Sequence, residues 1–143
     1  MMIRQLSVFL ENKKGRLAEV TGILAKNKVN IRALSLADSA DFGVLRLIVN
    51  DPEKGATCLR DERMVVQETD VIGVEVPDEP GGLSRVLKIF DHSNINVEYM
   101  YATVERIKDS AIVIFKVADP AKAVKLLKQA GAPLVPSTAL KTL

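Results

Sequence analysis

The chain has 143 residues, of which 48% are hydrophobic and 27% charged, an ordinary make-up for a globular protein. A net charge of +2 with acids and bases interspersed, 4% aromatics and no tryptophan argue against a surface dedicated to nucleic acid or anionic membrane. No apolar run reaches the roughly 20 residues of a membrane helix, Met1-Met2-Ile3-Arg4 does not read as a signal peptide, and the single Cys58 allows no internal disulfide, so a cytoplasmic protein is expected.

Leu6, Val8 and Leu10 alternate as in a half-buried strand. The turn Lys14-Gly15-Arg16-Leu17 follows, and then Leu17, Val20, Thr21 and Leu24 recur at helical spacing until Asn27-Lys28. A second strand starts at Ile31. There Ile31 and Ala33 are out of phase with Leu34 and Leu36, which predicts a β-bulge. Asp38-Ser39-Ala40-Asp41 reads as a hairpin loop, and the third strand points Leu45, Leu47 and Val49 inward. In Asp51-Pro52 the aspartate suits a helix N-cap and the proline the first helical position. That helix buries Ala56 and Leu59, and a last strand runs from Met64 to Glu68.

From Val71 the order begins again. Ile72, Val74 and Val76 alternate, and Pro80-Gly81-Gly82-Leu83 repeats the turn. Leu83, Val86, Leu87 and Phe90 repeat the helical stripe, which ends at Ser93-Asn94. Val97 opens the next strand, Arg106-Ile107-Lys108-Asp109 is the hairpin, and Val113, Phe115 and Val117 point inward. Asp119-Pro120 opens a helix burying Val124 and Leu127. Pro133 and Pro136 flank Leu134-Val135, a short strand expected at a sheet edge. Gly15 falls on Gly81, Val29-Asn30-Ile31 on Ile95-Asn96-Val97 and Asp51-Pro52 on Asp119-Pro120, so the chain is an internal duplication. The expected fold class is α+β: two tandem ferredoxin-like βαββαβ copies, residues 1–69 and 70–143, each with an antiparallel four-stranded sheet and two helices on one face. The link from Thr69 to Val71 is too short for independent domains.

Glu79-Pro80-Gly81-Gly82-Leu83 at the head of a helix, followed by Asn94-Ile95-Asn96-Val97 entering a strand, resembles the ACT domain, and the resemblance covers Ile3 to about Val135 as two copies. The first copy departs from the pattern, with Lys13-Lys14 in place of Asp-x-Pro. The resemblance implies a regulatory protein without catalytic residues, metal or cofactor. It implies a small ligand, commonly an amino acid, bound between modules, a homodimer or larger homo-oligomer, and a metabolic enzyme or regulator as partner.

The residue chemistry points to the glycine turns. A helix N-terminus presents unpaired N–H groups and a partial positive charge, and glycine lets a carboxylate approach them. The expected ligand-binding residues are Asn12, Gly15, Arg16, Leu17, Asn30 and Ile31 in the first copy. In the second they are Asp78, Gly81, Gly82, Leu83, Asn96 and Val97, with Glu98 and Tyr99 beside them. Plainer readings stand next to these. The glycines can serve only a tight turn, and the two asparagines can cap a loop. Glu98 to Tyr101 can be an interface, and Arg46 can sit on a solvated outer sheet face. His92 reads as a surface residue and Cys58 as a small core residue. A structural module that oligomerises through its sheets without a ligand is the competing function. RNA binding would need aromatics on the outer face of the third strands, where Val44, Arg46, Ile48, Ile112, Ile114 and Lys116 offer none.

Overall fold

A computed structural model describes residues 2–38, 41–107 and 109–141. Ser39, Ala40 and Lys108 of the two predicted hairpin loops lie outside the described residues. The chain divides into two compact units, one built on Arg4–Thr69 and the other on Asp70–Ala139, with Ile3 counted in the second and Leu140 in the first.

The first unit contains strand β1 (Ile3–Glu11), helix α1 (Arg16–Lys26), strands β2 (Ile31–Asp38) and β3 (Phe42–Val49), and helix α2 (Pro52–Asp61). β3 lies between β1 and β2 and is antiparallel to both, pairing Leu6 with Leu47 and Leu36 with Leu45. The expected bulge is present as a register shift between Ile31 and Ala33. Leu6, Val8 and Leu10 pack with Leu45, Leu47 and Val49 against Val20 and Leu24 of α1 and Ala56 and Leu59 of α2. Cys58 joins this core, its thiol donating to the Gly55 carbonyl at 3.3 Å, and burial pushes its pKa up. Leu17 departs from the expected stripe: it is 43% exposed.

The second unit contains helix α3 (Gly82–His92), strands β5 (Val97–Ile107) and β6 (Ser110–Val117), helix α4 (Pro120–Gln129) and strand β7 (Leu134–Val135), and a 3-10 turn, Ser137–Lys141, follows. β6 pairs antiparallel with β5, and β7 is the expected edge strand. A register shift between Val97 and Tyr99 repeats the bulge of the first copy. Phe90 and Phe115 meet edge to face, centroids 5.2 Å apart, at the centre of the core.

Two expectations are corrected. The four-stranded sheets are not separate sets. One unbroken strand, β4 (Val65–Pro77), is both the last strand of the first copy and the first of the second. Its trailing half pairs with β6, Val74 opposite Val113, and with β7. Thr69 to Val71 reads as a link, yet an extended strand accepts polar residues wherever their side chains meet water, and Gln67, Glu68 and Asp70 are exposed. The outer face of the third strands is also not a solvated surface: Ile48 is 1% exposed, Ile112 and Ile114 are fully buried, and Arg46 is half-buried. That removes the open platform on which a ferredoxin-like sheet stacks RNA bases.

Candidate functional site: the glycine-opened helix tips

Each copy starts its two helices by different chemistry. α2 and α4 are capped by their own side chains: the Asp51 and Asp119 carboxylates each accept from a backbone N–H, of Lys54 and Lys122, at 3.1 Å. α1 and α3 begin at Gly15 (φ 89°) and Gly81 (φ 84°) with no side-chain cap. Positive φ is open to glycine at little cost. The Arg16 amide turns back to the Lys13 carbonyl and the Gly82 amide to the Glu79 carbonyl. The next two amides in each helix, of Leu17 and Ala18 and of Leu83 and Ser84, have no acceptor among the described residues. Two glycine-headed tips therefore present free N–H groups at the positive end of a helix dipole.

In the first copy, Asn12, Arg16 and Leu17 meet Leu10, Lys13, Leu36 and Asp38 around a cavity of about 70 Å³. The cations there are largely engaged. Lys13 binds Glu11 at 2.7 Å, and Arg16 binds Glu19 at 2.9 Å and Glu11 at 4.0 Å. The Lys13 hydrogen bond, then its charge, holds the Glu11 carboxyl below its ordinary value of 4.5. In the second copy, Asp78 is tied to the hairpin by its N–H to the Asp109 carbonyl, and Arg85 pairs with Glu79 across the turn. Gly82 has a packing reason as well, since a Cβ there would run into the Pro77 carbonyl oxygen. From Leu83 a shallow groove of about 470 Å³ follows α3 past Ser84, Leu87 and Lys88.

Asn30 and Ile31 do not join the turn of their own copy. They stand where β2 begins, while Asn12 is bonded to Asp41 near its end, and eight residues at about 3.3 Å each put over 20 Å between them. Asn96 and Val97 are placed likewise at the far end of β5, since Val97 pairs with Val117 and Pro77 with Ser110. Glu98 binds Lys116 at 3.2 Å, and Tyr99 beside it is half-buried. The loop before Ile31 is closed by a residue that sequence reading passed over: Asn50 accepts the Asn30 N–H on its side chain at 2.9 Å and donates its own N–H to the Asn30 carbonyl. Its position between Val49 and Asp51 carries no separate signal.

The profile of the ACT domain pair matches residues 1–143. The chain belongs to the ACT domain pair family. Protein BT0572 from Bacteroides thetaiotaomicron is 40% identical, with a TM-score of 0.94, and the match covers 100% of this chain and 98% of that one. The ligand-free regulatory subunit of aspartate kinase from Thermus thermophilus shares the fold at 12% identity and a TM-score of 0.62, over 89% of this ACT pair and 91% of that chain. Aspartokinase III of E. coli, in complex with lysine and aspartate, shares it at 17% identity and a TM-score of 0.52, over 90% of this chain and 31% of that one. No curated protein matches. Among the described residues no helix is long and apolar enough to cross a membrane.

Proposed function

We propose that this ACT pair is a regulatory sensor whose glycine-opened tips hold the carboxylate of a small ligand, an amino acid, and that ligand binding is read by a partner enzyme or regulator. The observation carrying this reading is the contrast within each copy: one helix is self-capped by aspartate, and the other leaves two amides free behind a positive-φ glycine. The cavity of about 70 Å³ at the first turn is well below the roughly 300 Å³ of a small-molecule pocket. A second module must therefore supply the rest. Asn30 and Ile31, or Asn96 to Tyr99, standing about a strand's length from their own turn, are the residues a neighbouring module would bring, which makes a homodimer or larger homo-oligomer the working assembly. The fold is shared with a regulatory subunit of aspartate kinase and with an aspartokinase determined with lysine and aspartate, which agrees with this ligand class.

Thermal unfolding with each of the twenty amino acids at millimolar concentration tests the reading. A ligand selective for the folded chain stabilises it by about 2.7 kcal/mol at a hundredfold excess over Kd. Ala18→Asp and Ser84→Asp place a carboxylate at the third helical position, against the free amides. The expected result is a more stable unliganded protein, by about 0.3–1 kcal/mol, that no longer responds to the ligand. Absence of any ligand response in the parent protein overturns the proposal and leaves an oligomerising scaffold.

A further inference from the structure

A second cavity of about 340 Å³ opens on the other side of Arg16, within the first unit. Its floor is apolar: Leu10 and Met64 are joined by Phe9 and Phe42, which are 42% and 60% exposed. Its rim carries Glu11, Arg16, Glu19, Glu62 and Arg63. Arg16 is held between Glu11 and Glu19, and Glu11 also holds Lys13, so these charges balance among themselves. Glu62 and Arg63 have no ion-pair partner among the described residues. One free acid and one free base therefore stand side by side above an aromatic and methionine floor. Arg63 also takes a left-handed backbone conformation, φ 65°, where the second copy has Gly131 at φ 74°. Lys28 and Asn94 end α1 and α3 in the same left-handed conformation, the usual close of a helix, and a non-glycine residue there carries a conformational penalty.

We infer that this cavity is a separate binding site for a free α-amino acid with an apolar side chain. Glu62 takes the ammonium group, Arg63 the carboxylate, and Phe9, Phe42 and Met64 the side chain. The volume is near the lower end of the roughly 300–1,000 Å³ of ligand pockets, suited to one small molecule. The site shares the ligand class with the glycine-turn reading. It borders the first glycine turn through Leu10, Glu11 and Arg16, but its anchors, Glu62 and Arg63, line only this cavity.

The test uses the full chain with L-leucine and L-phenylalanine as probes, followed by calorimetry and by methyl NMR of Met64. Both probes are expected to bind and to shift the Met64 signal. N-acetyl-L-phenylalanine, which lacks the ammonium, and phenethylamine, which lacks the carboxylate, are expected to bind about tenfold more weakly or worse, since each forfeits a charge-assisted bond. Arg63→Gly relieves the backbone and is expected to raise Tm by about 2–8 °C while weakening the probes at least about tenfold. Glu62→Gln checks the ammonium contact without touching the backbone. If both variants bind the probes as the parent does, or if the Met64 signal ignores them, the inference is overturned. Binding that survives both but is lost in Ala18→Asp and Ser84→Asp overturns this site and leaves the glycine-turn proposal standing; loss in Glu62→Gln and Arg63→Gly with binding kept in Ala18→Asp and Ser84→Asp is the expected result.

Discussion

Glu11 carries a titration signature that follows from one neighbour. Its carboxylate accepts from Lys13, so its folded pKa lies below the unfolded one. A depressed carboxylate contributes stability above its unfolded pKa and loses it as pH falls through the folded value. The residue is fully exposed, so the observable is the titration itself: in Lys13→Ala the Glu11 midpoint, followed by NMR, should rise toward 4.5. Glycines separate into two kinds at this scale. At Gly15 nothing stands within 4 Å of an added Cβ and only φ 89° resists, so Gly15→Ala should cost about 1–2 kcal/mol. At Gly82 the Pro77 carbonyl blocks the Cβ, so the chain itself must shift, and Gly82→Ala should cost about 1–3 kcal/mol in urea denaturation. Both glycines stand out in the sequence as a turn, but their reasons do not, because a clash with a carbonyl is invisible until the strand end is placed. Asn50 was illegible for the same reason: its partner, Asn30, is 20 residues away.

Elements were legible wherever local chemistry is strong. Asp-Pro fixes the start of α2 and α4 through a cap and a pre-set φ. Asp51→Ala and Asp119→Ala should each destabilise by about 0.5–2 kcal/mol, read as a lower Tm. The broken alternation at Ile31 and Ala33 forecast the bulge, since a phase change within a strand requires an extra residue. The join between copies was not legible. The polar step at Thr69 and Asp70 reads as a link when burial is unknown, and here it belongs to the largely exposed leading half of a strand of 13 residues. The candidate site was half legible. The helix tips follow from glycine and the missing cap, whereas the cavity beside Arg63 collects residues from β1, β3, α1 and the α2–β4 turn, and no spacing rule links them.

At the scale of the molecule, the two cores differ in how they are filled. The first is aliphatic around Leu6, and the second is centred on the Phe90–Phe115 pair. Leu6→Ala should cost about 2–5 kcal/mol and Phe90→Ala about 3–5 kcal/mol, each measured by chemical denaturation. Family membership rests on the match along the whole length and the 40% identity to the Bacteroides protein. The regulatory reading rests on chemistry that each copy repeats for itself.

Because β4 runs through the duplication without a break, gene duplication here left no seam. Severing the chain after Thr69 would cut a strand in two, and a strand edge left unpaired recruits other chains. Either half produced alone is therefore expected to collect in inclusion bodies or to pair with copies of itself, as light scattering would report, whereas co-produced halves should reunite. A chain built this way is expected to need both repeats together.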